Sequence, residues 1–112
     1  MPTFALMLYD DPTMWRKMSP EDMQKAVERY LAWSKKPFHR DGKRLADDLG
    51  RVIRSSGGKP KVSDGPYSET KEVLGGFYLI DAADYDEAVK RALDHPHLEY
   101  GGVIEVRALF SM

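Results

Sequence analysis

Two segments of the chain are apolar at both odd and even positions, the pattern of a β-strand that is covered on both faces. The first runs from Thr3 to Tyr9 and ends at the turn Asp10-Asp11-Pro12. The second runs from Val73 to Asp81 and contains the pair Gly75-Gly76. A glycine pair within a strand predicts a bulge or the close approach of another backbone.

Helical spacing of apolar residues follows the first of these strands. Ser19 is a favoured N-cap residue, Pro20 suits the first helical position, and apolar residues recur at helical intervals as far as Trp33. The residue before a proline disfavours helix, so Pro37 predicts that this helix breaks near Lys36.

A second helix and a final strand follow the second apolar segment. Asp84, with Glu87 three residues later, is typical of a capping box and predicts a helix that ends before His95-Pro96. Residues Val103–Phe110 then alternate, with Ile104 on an apolar face and the odd-numbered positions on a mixed face. They predict the last strand.

The middle of the chain is less regular. Lys43–Asp48 and Arg51–Ser55 are candidates for short strands, and Gly57-Gly58 marks a turn before Lys61–Ser63. Asp64-Gly65-Pro66 combines an aspartate, a flexible residue and a fixed φ, and it predicts another turn.

The order of elements is therefore β-α-β, two short strands, then β-α-β, which predicts an α+β domain over residues 1–112. We expect a ferredoxin-like antiparallel sheet with two helices on one face. The other face is still apolar in the two central strands and needs a cover. A second copy of the chain would provide it, because symmetric dimers bury like surfaces against each other. The alternative is that the middle segment folds over that face.

Composition narrows the possible classes of protein. Of 112 residues, 42% are hydrophobic and 31% are charged, which excludes disorder for most of the chain. No apolar stretch approaches 18 residues, so no membrane span is expected. The absence of cysteine excludes disulfides and thiolate metal sites, and the N-terminal segment does not resemble a signal peptide, so we expect a cytoplasmic protein.

Charge is unevenly distributed along the chain. Residues 35–61 carry nine Lys and Arg against three acids, whereas residues 62–112 carry four against ten. The overall net charge is only −1, and no aromatic interleaving or recognition helix accompanies the basic segment. We interpret that segment as a solvated hairpin, and we do not expect direct binding to nucleic acid.

The run Asp64-Gly65-Pro66-Tyr67-Ser68-Glu69-Thr70-Lys71-Glu72, followed by residues 74–81, resembles the DGPF group of the YCII-related family. Leu8-Tyr9-Asp10-Asp11 ahead of Met18-Ser19-Pro20-Glu21 agrees with it, as does the closing run from His97 to Arg107. The resemblance covers essentially the whole chain.

The resemblance implies a ferredoxin-like fold and dimers of the dimeric α/β-barrel type. Members of that superfamily include cofactor-free monooxygenases, lactone isomerases and dehydrochlorinases, and some DGPF genes lie beside sigma factors. A His–Asp pair has been suspected of catalysis in YCII-type proteins. The histidine that those proteins carry on the first helix is missing here between Ser19 and Lys36, so the pair does not transfer intact.

His97 and Asp64 are the candidate catalytic residues. A histidine exchanges protons near neutral pH, and a carboxylate can act as a base or orient one. The structural alternatives are a histidine at a helix end and an aspartate that caps its own turn. His95 is interpreted as structural. We predict neither a metal site nor a cofactor, because no third ligand follows the His95–His97 spacing and no nucleotide fingerprint is present.

Four further residues are candidates for substrate binding. Glu105 and Arg107 share a face of the last strand, where Arg107 could hold an anion. The alternative is that they form an ion pair at the dimer interface, either with each other or between subunits. Tyr9 and Tyr78 lie on the central strands and could donate hydrogen bonds, although core aromatic residues are the common alternative.

Two functions are consistent with these residues. In the first, the homodimer binds a small metabolite in a cavity where His97, Asp64 and Arg107 converge, and it performs cofactor-free acid–base chemistry. In the second, the dimer is a non-catalytic ligand-binding or regulatory module beside a transcription system, and the ion pair uses up Glu105 and Arg107. The sequence does not identify the ligand.

Overall fold

A computed structural model describes residues 1–67 and 71–111. The elements are β1 (Thr3–Asp10), α1 (Pro12–Arg16), α2 (Pro20–Trp33), β2 (His39–Arg44), β3 (Arg51–Ser56), β4 (Lys59–Asp64), β5 (Val73–Asp81), α3 (Tyr85–Ala92), α4 (Pro96–Glu99) and β6 (Val103–Ala108). Ser68, Glu69 and Thr70, which belong to the run that carries the family resemblance, lie outside the described residues. No helix in the described part of the chain is long and apolar enough to cross a membrane.

Four strands form one antiparallel sheet in the order β2-β5-β1-β6. Phe4, Leu6 and Leu8 of β1 lie on one face of the sheet. They pack into a single core with Trp33 of α2 and with Ala88 and Ala92 of α3. Both long helices therefore cover the same face. This arrangement confirms the predicted ferredoxin-like α+β fold.

The capping signals act as the sequence predicts. The Ser19 side chain accepts a hydrogen bond from the Asp22 backbone N–H at 3.1 Å, and Asp84 accepts one from Glu87 at 2.9 Å. Helix α2 ends at Trp33, ahead of the expected break near Lys36. The short helices α1 and α4 were not expected from the sequence.

The sequence predicts a bulge or the close approach of another backbone at the glycine pair of β5, and the structure shows both. The register with β1 shifts between Leu8 and Tyr9, so that Gly75 is the extra residue of a bulge. A Cβ on Gly76 would lie 2.9 Å from the Lys43 carbonyl oxygen of the neighbouring strand. Glycine is therefore required there by the close approach of another backbone.

The middle of the chain agrees with its prediction in part: β3 and β4 confirm the strands expected at Arg51–Ser55 and Lys61–Ser63, with the turn at Gly57-Gly58 between them. The edge strand β2 is His39–Arg44 and not Lys43–Asp48, because its pairing with β5 outweighs its polar sequence. Strands β3 and β4 pair only with each other, and we call residues 51–64 the arm. The arm is exposed at every position except the half-buried Val52, so it does not fold over the sheet, and that alternative is wrong.

The face of the sheet opposite α2 and α3 is called the open face. Register places Met7 between Phe77 of β5 and Glu105 of β6 on this face. Two residues earlier in β1, Ala5 pairs with Arg107 on the same face. No element of the described chain packs across it. The prediction that the helices cover only one face is confirmed.

Candidate functional site

A cavity of about 340 Å³ opens between helix α2 and the sheet, beside the edge strand β2. The sheet supplies Leu8, His39, Gly42, Arg44, Gly76 and Tyr78, and α2 supplies Met23, Ala26, Val27, Tyr30 and Leu31. Asp10, Trp15 and His97 also line it. The cavity lies on the helix side of the sheet, not on the open face.

Two glycines, which carry no side chain, line the cavity where β2 and β5 lie side by side. Gly42 and Gly76 line the cavity from these adjacent strands. A Cβ on Gly42 would lie 3.0 Å from Cδ1 of Tyr78, closer than side chains normally pack. Glycine at position 42 therefore gives the Tyr78 ring room to pack against β2.

His97 is held at the cavity wall by both ring nitrogens. Its Nε2 lies 2.8 Å from the carbonyl oxygen of Tyr9, and its Nδ1 lies 2.6 Å from the hydroxyl of Tyr30. A carbonyl only accepts, so Nε2 carries the proton and Nδ1 accepts from Tyr30. Burial lowers the pKa of His97, against the opposing effects of the Tyr9 hydrogen bond and the Asp10 charge. The ring is therefore neutral near pH 7.

His95 supports this arrangement from outside the cavity. Its Nδ1 accepts the backbone N–H of His97 at 3.0 Å and so caps α4. The ring lies among aromatic neighbours, 4.5 Å from Trp33 and 4.8 Å from Tyr78 between ring centroids. Burial lowers the pKa of His95 to about 3. This geometry agrees with the structural interpretation of His95.

Two phenols face the cavity. Burial raises the pKa of Tyr78 to about 12 and also raises that of Tyr30, so both remain uncharged at neutral pH. Within residues 1–67 and 71–111, no group hydrogen-bonds to the Tyr78 hydroxyl. Tyr78 is therefore a neutral donor that is open to a ligand.

Asp10 places a buried carboxylate at the same cavity. The indole N–H of Trp15 donates to its Oδ2 at 2.7 Å, and a Cβ on Gly75 would lie 3.1 Å from that oxygen. The β5 bulge thus gives the carboxylate its room. Arg44 stacks over the Trp15 ring at 5.8 Å from its centroid and brings a cation to the cavity.

His39 also borders the cavity, from the edge strand. Its Nε2 is buried without a hydrogen-bond partner, and its ring packs edge-on against Tyr78 at 5.6 Å between centroids. Across the described ranges, no hydrogen bond links this ring to a second side chain.

Asp64 does not join His97. It ends β4 at the base of the arm, its side chain is 88% exposed, and it lies 3.5 Å from the Arg51 guanidinium. Because β4 pairs only with β3, the turn that follows Asp64 is not brought to the edge of the main sheet. The expected convergence of Asp64 with His97 is therefore not found.

Arg107 is likewise separated from His97. It lies on the open face with Glu105 and Tyr9, on the other side of the sheet from the cavity. The Tyr9 hydroxyl donates to Oε1 of Glu105 at 3.1 Å, and burial followed by this hydrogen bond raises the pKa of Tyr9. No ion pair joins Glu105 to Arg107 in the described part of the chain, so the ion pair that the non-catalytic alternative predicted within one chain is not found.

The sequence predicts a cavity of the dimer, whereas this cavity lies within one chain. Of the candidate residues named from the sequence, His97 and Tyr78 line it, and Tyr30, Asp10 and His39 line it without having been candidates. The sequence pattern places Tyr30 only among the apolar residues that recur at helical intervals along α2, and it places Asp10 only in a turn. An acidic residue at the end of a doubly apolar strand was the available signal for Asp10. No local signal marked Tyr30, because its partner His97 is 67 residues away.

The described residues contain no group of three or more His, Asp or Glu side chains that could hold a metal ion. The groups at the cavity include two phenols, two imidazoles and two carboxylates, all of which can donate or accept protons. They can bind hydroxyl and carbonyl groups and can move protons.

Three comparisons place these observations among known proteins. A model of the YCII-related domain matches residues 3–112. An uncharacterised protein of Rhizobium meliloti, R00369, is 36% identical over 113 residues, covering 95% of this chain and 90% of that protein. The solved structure of 5-chloro-2-hydroxyhydroquinone dehydrochlorinase (TftG) from Burkholderia phenoliruptrix, bound to 2,5-dihydroxybenzoquinone, is similar with a TM-score of 0.58 and 17% identity. That similarity covers 98% of this chain and 95% of TftG.

Proposed function

Because the chain belongs to the YCII-related family, we propose that it binds a small ring-containing molecule in the cavity between α2 and the sheet. We further propose that it performs acid–base chemistry on that molecule without a cofactor.

One observation carries this proposal. Tyr78, with its unpaired hydroxyl, and the hydrogen-bonded pair Tyr30–His97 line the same cavity. The cavity volume of about 340 Å³ is at the lower end of the roughly 300–1,000 Å³ that is usual for ligand pockets. Aromatic walls with a few convergent polar groups are typical of such pockets and favour a flat ring over a flexible polar chain.

The similarity to TftG supports the size and shape of the ligand. TftG is a dehydrochlorinase, and its structure contains a single-ring quinone. At 17% identity the similarity concerns the fold, so a single-ring ligand enters our proposal because the cavity of this chain is small and has aromatic side chains in its lining.

The residues have unequal roles in this proposal. His97 takes part in proton transfer, and Tyr78 donates a hydrogen bond to the ligand. Asp64 has no role, since it is exposed at the base of the arm. Tyr9 contributes only its backbone carbonyl, which fixes the His97 ring.

A second copy of the chain belongs to the same proposal. Met7, Phe77 and Leu79 lie on the open face without a covering element, and a homodimer would bury them. Glu105 and Arg107 would then lie at that interface. We place this dimer in the cytoplasm, consistent with a chain that has no cysteine to form disulfides.

The test is binding of 2,5-dihydroxybenzoquinone and of single-ring phenols, measured by calorimetry and by shifts of cavity amide signals in NMR spectra. Val27→Trp fills the cavity from α2, and Ala32→Trp places the same ring on the exposed side of that helix. We expect binding to the wild type and to Ala32→Trp, and none to Val27→Trp. Equal binding to all three proteins would place the ligand elsewhere and refute the proposal.

A further inference from the structure

We propose that Tyr30 is the residue that exchanges a proton with the ligand, and that His97 behind it receives the proton that Tyr30 gives up. This inference rests on the proposed function and deepens it. It assigns the ligand an acidic ring hydroxyl, that of a phenol or an enol.

We call the path from the ligand through Tyr30 to His97 the relay. The two hydrogen bonds of His97 set the direction in which protons move along it. Its Nε2–H is held by the Tyr9 carbonyl at 2.8 Å, which leaves Nδ1 as the acceptor for the Tyr30 hydroxyl at 2.6 Å. A hydroxyl that donates its proton in one direction still has lone pairs that can accept from another direction. Tyr30 also lines the cavity, so a ligand hydroxyl can supply that second hydrogen bond.

Neither of the other histidines offers this arrangement. His95 does not line the cavity, and its Nδ1 is used by the backbone of His97. His39 lines the cavity, but no described group is hydrogen-bonded behind its ring to receive a proton. Among the three histidines, and within the described residues, only His97 is hydrogen-bonded to a second side chain that lines the cavity.

The proton transfer balances without any other reactant. The ligand O–H bond breaks and its proton moves to Oη of Tyr30, while the former Tyr30 proton moves to Nδ1 of His97. The products are a ligand anion, a neutral phenol and an imidazolium whose Nε2–H still donates to Tyr9. No electrons are exchanged, and the reverse movement returns the proton to the ligand.

The surroundings require both protons to move together. Burial is the main cause that raises the pKa of Tyr30, followed by the Asp10 charge, so a free Tyr30 phenolate is unfavourable. Burial lowers the pKa of His97, and the Tyr9 hydrogen bond and the same Asp10 charge oppose that effect by favouring the imidazolium form. Other ionisable groups that act on this pair are Arg44, Tyr78, Tyr100 and His95.

The probe is 4-nitrophenol, whose ionised form has its own visible absorption band. At a pH below the pKa of the free phenol, we expect binding to the wild type to increase the ionised fraction of the probe. Tyr30→Phe and His97→Gln should still bind it, with the ratio of ionised to neutral bound probe lowered at least about tenfold, which is one pKa unit. Tyr67→Phe removes a hydroxyl from an exposed ring that does not line the cavity, and it should keep the wild-type ratio.

The outcomes separate the relay from the proposed function. An unchanged ratio in Tyr30→Phe, with binding intact, overturns the relay and leaves cavity binding in place. No binding to the wild type, or equal binding to Val27→Trp, overturns the proposed function.

A second measurement needs no ligand. Nitrogen NMR of His97 in the free protein should show the proton on Nε2 and an unprotonated Nδ1 whose signal shifts in Tyr30→Phe. A proton on Nδ1 would overturn the relay regardless of any probe.

Discussion

Gly102 lies directly against the ring of His97. A Cβ at Gly102 would be only 2.1 Å from Nε2, and the Gly102 backbone N–H donates to the His97 carbonyl oxygen at 3.0 Å. The φ of Gly102 lies outside the left-handed region, so space and not backbone conformation requires glycine here. The segment before β6 therefore holds His97 against Tyr9 and Tyr30.

Gly102→Ala should displace the His97 ring and lower the free energy of unfolding by about 1–3 kcal/mol, the usual cost of overpacking a well-filled site. Urea denaturation measures this loss. The double variant Gly102→Ala, His97→Ala removes the clash, so its loss should be smaller than the sum of the two single losses. Simple additivity would show that the ring is not in contact with Gly102.

Stability should decrease as the pH falls from about 6.5 towards 3, because of His95. Burial lowers its pKa in the folded state from 6.5 to about 3, so in this range the unfolded chain binds a proton that the folded chain does not. The effect of one such proton is at most about 1.4 kcal/mol per pH unit. The lowered pKa of His97 acts in the same direction.

His95→Asn tests this assignment by thermal denaturation across that pH range. The asparagine side chain can still accept the His97 N–H that caps α4, but it does not titrate. The variant should lose stability less steeply with acid than the wild type does. The same slope in both proteins would mean that His95 is not the group responsible.

Met7→Lys should prevent self-association, because it places a charge in the middle of the open face between Phe77 and Glu105. Sedimentation over a range of concentrations should show a dimer for the wild type and a monomer for this variant. Leu93→Lys is the matched control, since Leu93 is 66% exposed beside α3. A monomeric wild type, or an equal effect of both variants, would contradict a dimer through the open face.

Asp84→Ala should lower the free energy of unfolding by about 1 kcal/mol, since it removes the N-cap of α3. Asp86→Ala removes a charge from the first turn of the same helix without removing the cap, and it should cost less. Chemical denaturation compares the two variants. Equal losses would show that charge and not the capping hydrogen bond stabilises this end of the helix.

Strong local patterns explain why most of the fold could be predicted. Strands β1 and β5 are apolar on both faces, and Ser19 and Asp84 mark helix starts through hydrogen bonds to residues only three positions away. The edge strand β2 gave no such signal. Its sequence is polar, and it forms a strand because β5, more than 30 residues later, pairs with it.

The candidate site was predicted only in part for the same reason. His97 and Tyr78 could be selected by residue type, but the contacts that define the cavity join distant positions, as in Tyr30 with His97. Asp64 was selected from a turn motif. Its motif lies at the base of the arm, where β3 is the only neighbouring strand.

The arm leaves and rejoins the rest of the chain at one point. The Gly65 N–H donates to the Gly50 carbonyl oxygen at 3.0 Å, and a Cβ on Gly65 would come within 1.8 Å of the Leu49 carbonyl oxygen. Excising residues 51–64 with one linking glycine should therefore leave the cavity intact, and a foreign peptide could be grafted at the same place. In evolution, such a junction lets a hairpin lengthen, shrink or disappear while the pocket keeps its shape.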